Sequence, residues 1–219
     1  MSGTVAMINP LEAFNTPLKI PAAAPGFELF IFATNWGFNG SWDEFCSRIK
    51  KEGYDGAEIW YPAEEKLRKE FLATFQKYNL KFGLLFGGSD NDHQKHLQQF
   101  KSTLEAAAAL KPVYINCHSG RDHFSFDQNK AFIDFTNDLN SKTKVPIYHE
   151  THRGRILYSA PVSRQFMEKN SSLRLTLDIS HWCNVHESLL DDQQETVKLA
   201  ISSTDHIHTR VGHAEGPQV

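Results

Sequence analysis

Val145-Pro146-Ile147-Tyr148-His149-Glu150-Thr151-His152-Arg153-Gly154-Arg155 begins as a short apolar strand and ends in a dense set of ionisable side chains. Glu150 stands where the apolar run gives out. A carboxylate there costs little if it faces water, a cation or a substrate, and several kcal/mol if buried unpaired. The same layout recurs twice downstream. Leu173–Leu177 runs into Asp178, with His181 three residues on, and Asp205-His206-Ile207-His208 runs into Thr209 and Arg210. Three successive strands that end in metal-ligand or acid–base residues point to one shared site.

Working outward, strands alternate with helices along the chain. Strands are expected over 27–33, 56–60, 81–86, 113–118, 145–149, 173–177 and 206–210. Helices are expected over 42–51, 63–78, 93–110, 126–139, 161–169 and 191–201. Ser41 with Glu44 three residues later forms a capping-box signature, and Gly53 stops that helix. The alternation argues for parallel βαβ units. The strand-end residues Glu58, Phe86, His118, Glu150, Asp178 and His208 are 28, 32, 32, 28 and 30 positions apart. Such a period fits a (β/α) barrel or an open doubly wound sheet. No Gly-rich phosphate fingerprint follows the first strand, which weakens the dinucleotide-binding option.

The fold class expected is therefore α/β, a TIM-type barrel with seven of its eight strands visible. Residues 1–25, with Pro10, Pro17, Pro21 and Pro25, read as an irregular lead-in, and 26–219 as the barrel domain, lacking the eighth βα unit. An open barrel edge would expose unpaired strand groups, so a partner or other cover, such as a second copy of the chain, is expected there.

Composition bounds the function. Of 219 residues, 40% are hydrophobic and 22% charged, enough for a packed core. The net charge of −3 shows no basic excess of the kind a broad nucleic-acid surface needs. Cys46, Cys117 and Cys183 are far apart with no C-x-x-C, which reads as reduced thiols in a cytoplasmic compartment. No apolar run approaches the roughly 20 residues of a membrane span, and no secretory signal is visible.

At the carboxyl ends of barrel strands, where active sites of this fold sit, stand Glu150, Asp178 and His208. Each taken singly has a plainer reading: a solvated carboxylate, an N-cap or loop residue, a satisfied core histidine. Their common period and common edge favour a metal site. One imidazole with carboxylates and no thiolate leans toward Mn²⁺ or Mg²⁺, with Zn²⁺ and Co²⁺ as the further fits. His181 could contact a substrate hydroxyl or add a ligand, and the guanidinium of Arg210 suits a phosphate, carboxylate or diol. Glu58, His118 and Trp36 lie at strand ends or just beyond and are further candidates for substrate contact. His149, His152, His206 and His213 are candidates to support ligands from behind.

These residues resemble the xylose isomerase-like barrel superfamily, the sugar-phosphate isomerase/epimerase group. The resemblance runs from about Phe27 to the end. It is carried by Gly53-Tyr54-Asp55-Gly56-Ala57-Glu58, His149-Glu150, Leu177-Asp178 with His181, and His206-Ile207-His208 with Arg210. It implies a divalent metal held by a strand-five Glu, a strand-six Asp, a strand-seven His and a strand-eight Glu. The first three map to Glu150, Asp178 and His208; the fourth has no counterpart in this sequence. It also implies substrate contacts from His181 and Arg210. The activity expected is isomerisation or epimerisation of a sugar, sugar phosphate or related hydroxy-ketone, with Glu150 as the base. Two rivals are a metal-dependent phosphodiesterase like the abasic-site endonucleases of the same superfamily, and a non-catalytic sugar-binding barrel.

Overall fold

A computed structural model describes residue 26 and residues 28–210. The lead-in expected over 1–25, Phe27 and His213 lie outside the described residues. Seven strands form one parallel sheet in the order β1-β2-β3-β4-β5-β6-β7. They are β1 (Phe32–Thr34), β2 (Gly56–Trp60), β3 (Lys81–Gly87), β4 (Ile115–His118), β5 (Ile147–Glu150), β6 (Leu175–Leu177) and β7 (Thr204–Ile207). Between them run α1 (Trp42–Lys51), α2 (Glu65–Lys77), α3 (His93–Ala109), α4 (Phe126–Thr143), α5 (Ala160–Lys169), α6 (Ile179–His186) and α7 (Gln194–Ser202). This is the parallel βα architecture of a TIM-type barrel.

The inner strands, β2 to β6, are mostly buried because both faces are covered, whereas β1 and β7 at the two ends of the sheet are partly exposed. β3 buries four consecutive residues, Leu84, Leu85, Phe86 and, one glycine before, Gly83, as a parallel sheet between helices and lumen requires. Helix faces supply the other side of the core: Phe71 and Phe75 of α2 pack on Trp42 of α1 and Phe82 of β3. Phe100 of α3 packs on Phe132 of α4 and Phe86 of β3. The Ser41–Glu44 capping box forms as the sequence suggests, and a second one, Ser125 with Gln128, starts α4.

Several bounds differ from the sequence reading. β1 begins at Phe32 rather than Phe27. The amide of Ile31 donates to the Asp55 side chain at 2.7 Å instead of to a strand, so the ladder starts one residue later at Phe32↔Gly56. β7 ends at Ile207, before His208, and a register shift between Leu175 and Thr176 marks its pairing with β6. Irregular pairing of this kind re-aims side chains at a strand end. The largest omission is α6. Eight residues beginning Ile-Ser-His-Trp carry no capping signature, and the Asp178 side chain at its start makes no cap bond. His181 is therefore a helical residue, one turn beyond β6, and not part of a loop. Among the described residues no helix is long and apolar enough to cross a membrane.

Candidate metal centre

Alternation along each strand sorts the polar residues into two sets. On β5, His149 points outward and is clamped between Ser119 Oγ (2.7 Å) and Thr136 Oγ1 of α4 (2.8 Å). Its neighbour Glu150 points into the lumen. On β4, Asn116 and His118 point the same way as Glu150, and Cys117 lies buried between them.

Glu150 is 3% exposed, and its two oxygens have different surroundings. Oε2 accepts from Asn116 Nδ2 at 2.7 Å and pairs with His118 Nε2 at 2.9 Å. Oε1 faces His208 Nδ1 at 3.4 Å and His181 Nε2 at 4.0 Å. Burial by itself would raise the Glu150 carboxyl, but the hydrogen bonds and charges of His118 and His208 carry it well below the usual carboxylate range. It is ionised at neutral pH.

Asp178, fully buried, completes the cluster. One oxygen accepts the Ser180 hydroxyl. The other, Oδ2, lies 3.7 Å from His181 Nε2 and 3.6 Å from Arg210 Nε, beyond hydrogen-bond reach of both. Burial, then the Glu150 charge, push the Asp178 carboxyl up against the opposing pull of Ser180, Arg210 and His208. Asp178 Oδ2 and both ring nitrogens of His181 are buried with no hydrogen-bond partner among the described residues. Buried polar atoms of this kind call for an explanation, of which an ion is one.

Glu150, Asp178 and His181 each present a ligand atom within 4.8 Å of the others. Around a cation with bonds of about 2.0–2.2 Å, ligand atoms stand about 3.0–3.5 Å apart. The distances of 3.7 and 4.0 Å from His181 Nε2 are slightly wider, so a small inward movement would close the set. Burial first, then the charges of His152, Arg153 and Arg210 hold His181 down to about 3, so it is neutral and able to ligate at pH 7. The donor set fits a divalent cation: orphaned oxygens, a neutral imidazole and no thiolate.

The structure thus draws His181 into the group with both carboxylates, where the sequence reading had His208 as the imidazole. His208 stays adjacent. Its Nδ1 faces Glu150, and its Nε2 is 2.9 Å from Glu58 Oε1 of β2. Burial would lower its proton affinity, but hydrogen bonds to Glu150 and Glu58 prevail and raise it to about 10. Glu58, expected to touch substrate, lies behind the imidazole. His118, expected to do the same, is committed to Glu150. Arg210 reaches toward Asp178 and stacks over Trp36 at 5.3 Å. Trp36 and Trp60 are both substantially exposed, and Trp60 meets the His118 ring edge to face at 5.4 Å.

Sequence reasoning missed one participant, Asn116, and the mutual contact of three histidines that it had named as candidates. Asn116 had a signal, since it lies two residues before His118 and so shares its face. The column of imidazoles did not. The His152 ring sits 4.2 Å from that of His118 and 3.9 Å from that of His181, by centroids. The spacing of three histidines on three different units cannot announce that stacking.

His149 supplies a pH test that is independent of the site chemistry. Burial lowers it to about 4, so it stays neutral in the fold while the unfolded chain takes up a proton below about 6.5. Its contribution is present above pH 6.5 and is lost as the pH falls toward 4. The whole window is worth on the order of 3 kcal/mol. In urea titrations at pH 7 and pH 5, His149→Gln is expected to lose less stability on acidification than the wild type. Equal losses would contradict a neutral buried His149.

The model of the xylose isomerase-like TIM barrel family matches residues 46–213. No curated protein matches. Among solved structures, the probable 3-DHS dehydratase AsbF from Bacillus anthracis superposes with a TM-score of 0.61 at 14% identity. The match covers 83% of this chain and 73% of AsbF. A dihydroorotase from Campylobacter jejuni aligns with a TM-score of 0.34 at 15% identity, over 75% of this chain and 63% of its own.

Proposed function

The chain belongs to the xylose isomerase-like TIM barrel family, and on that premise we propose that it is a divalent-metal-dependent enzyme. It would move a proton on a carbon beside the carbonyl of a sugar or related hydroxy-ketone. The observation that carries this is the division of labour on Glu150: Oε2 is locked by Asn116 and His118, and Oε1 is turned to Asp178, His181 and His208.

A cation held by Glu150, Asp178 and His181, with His208 alongside, would act as a Lewis acid on the carbonyl and hydroxyl oxygens of the substrate. With two imidazoles in reach, Mn²⁺, Co²⁺ and Zn²⁺ suit the set better than Mg²⁺. Glu150, ionised and fixed through Oε2, is the group able to accept the proton. Asn116 and His118 hold its plane, which keeps Oε1 in place while the substrate binds. Arg210, spread on the Trp36 ring, offers guanidinium donors to an oxygen of the substrate. Trp36 and Trp60 would wall the substrate and limit water.

Proton removal beside a carbonyl opens epimerisation, isomerisation and elimination of water alike. The last is the kind of activity in the description of AsbF. One experiment addresses the shared first step. Ketoses and hydroxy-ketones are incubated with the Mn²⁺-supplemented protein in D₂O, with and without chelator, and read by mass spectrometry. Metal-dependent deuterium incorporation into at least one of them is expected. No incorporation with any divalent metal, together with no metal binding, would overturn the proposal.

A further inference from the structure

We propose that Glu58 is a positioning residue for the cation site. Its carboxylate, hydrogen-bonded to His208 Nε2, sets the orientation and tautomer of the imidazole so that Nδ1 is offered to the ion beside Glu150. The inference rests on the reading that His208 ligates.

Glu58 comes from β2 and His208 from just beyond β7, 150 residues apart, and they meet at 2.9 Å inside the lumen. Glu58 is only 7% exposed. Among the described residues its ion-pair partners are His208 and, at 3.9 Å, His206, and no lysine or arginine. His206 Nδ1 is itself bonded to Thr176 Oγ1 at 3.1 Å, which leaves His208 as the nitrogen within hydrogen-bond distance of Glu58. A buried carboxylate so sparsely paired costs several kcal/mol, and packing alone would be better served by an apolar side chain of that size.

The geometry gives it a task. Glu58 and Glu150 flank opposite nitrogens of one ring. A carboxylate oxygen facing a ring nitrogen at 2.9 Å accepts its hydrogen bond, so the proton of that contact sits on Nε2. Nδ1, turned toward Glu150, is then the nitrogen whose proton a cation beside Glu150 would displace, with Nε2 held by Glu58. Outer carboxylates that hold a ligating imidazole this way fix its tautomer and raise its basicity. Glu58 therefore acts through His208, not on the substrate.

The test uses the whole chain labelled with ¹⁵N-histidine and loaded with Zn²⁺. Long-range ¹H–¹⁵N spectra report which nitrogen of His208 is protonated, and competition with a chelating dye gives affinity. The wild type should show His208 protonated at Nε2. Glu58→Leu, which keeps volume and removes a buried charge, should lose that signal and bind Zn²⁺ about 10–100-fold more weakly. Glu58→Gln, which keeps an acceptor oxygen, should restore the signal and stay within about threefold of wild type. A Glu58→Leu protein with wild-type affinity and a protonated Nε2 would overturn the inference. A Glu58→Gln protein as weak as His208→Ala would also overturn it. Wild-type affinity in His208→Ala would instead remove the ligand reading, and the inference with it.

Discussion

Glu150→Gln is expected to leave the fold intact and to lower metal-dependent turnover by about 10³-fold or more. The fold survives because the glutamine carbonyl can take the place of Oε2, accepting from Asn116 Nδ2 and His118 Nε2 as the carboxylate does. The amide nitrogen then occupies the place of Oε1. It has no lone pair for a cation and cannot take a proton. Two losses therefore coincide: the base, worth about 10²–10⁴-fold, and one ligand of the ion. Turnover, metal affinity and a thermal melt on the same preparation separate the cases. Activity within tenfold of wild type, on a substrate the wild type turns over, would remove Glu150 from the chemistry.

The second large effect has opposite signs for stability and for binding. Asp178→Asn should weaken divalent-metal affinity about 100-fold, yet leave the metal-free protein as stable as the wild type or more so. Asp178 is fully buried, its Oδ2 lacks a hydrogen-bond partner, and burial with the nearby Glu150 charge disfavours its ionised form. Asparagine keeps an acceptor for the Ser180 hydroxyl and removes the like charge. Relief of an unpaired buried carboxylate is commonly worth about 1–4 kcal/mol. Denaturant melts with and without Mn²⁺ check both halves: metal should stabilise the wild type and have little effect on the variant. A variant that is markedly less stable without metal would mark Asp178 as a structural residue instead.

Much of the frame was legible in the sequence because a βα unit has two strong signals, a short apolar run and a longer amphipathic one. The regular separation of Glu58, Phe86, His118, Glu150, Asp178 and His208 converts those signals into a barrel. Strand ends were displaced by up to five residues, since pairing, not composition, fixes them: Ile31 turns to the Asp55 side chain, and β7 stops before His208.

The site was legible by element but not by partner. Glu150, Asp178, His181 and His208 could each be assigned to the catalytic edge. Which imidazole joins the carboxylates depended on α6, a short helix without a capping signal that swings His181 over Asp178. The pairing of Glu58 with His208 joins the second strand to the end of the seventh, and only the curvature of the sheet reveals it. The contact of the His152 ring with those of His118 and His181 is likewise a property of a loop meeting a strand end and a helix in space.

The central claim is that Glu150 and Asp178, with an imidazole from His181 or His208, share one divalent ion. Crystals of the protein soaked in MnCl₂ and measured at the manganese absorption edge test this most directly. The account predicts an anomalous peak about 2.0–2.3 Å from Glu150 Oε1, Asp178 Oδ2 and at least one of those imidazole nitrogens. Manganese bound elsewhere, with those carboxylates left without an ion between them, would contradict it.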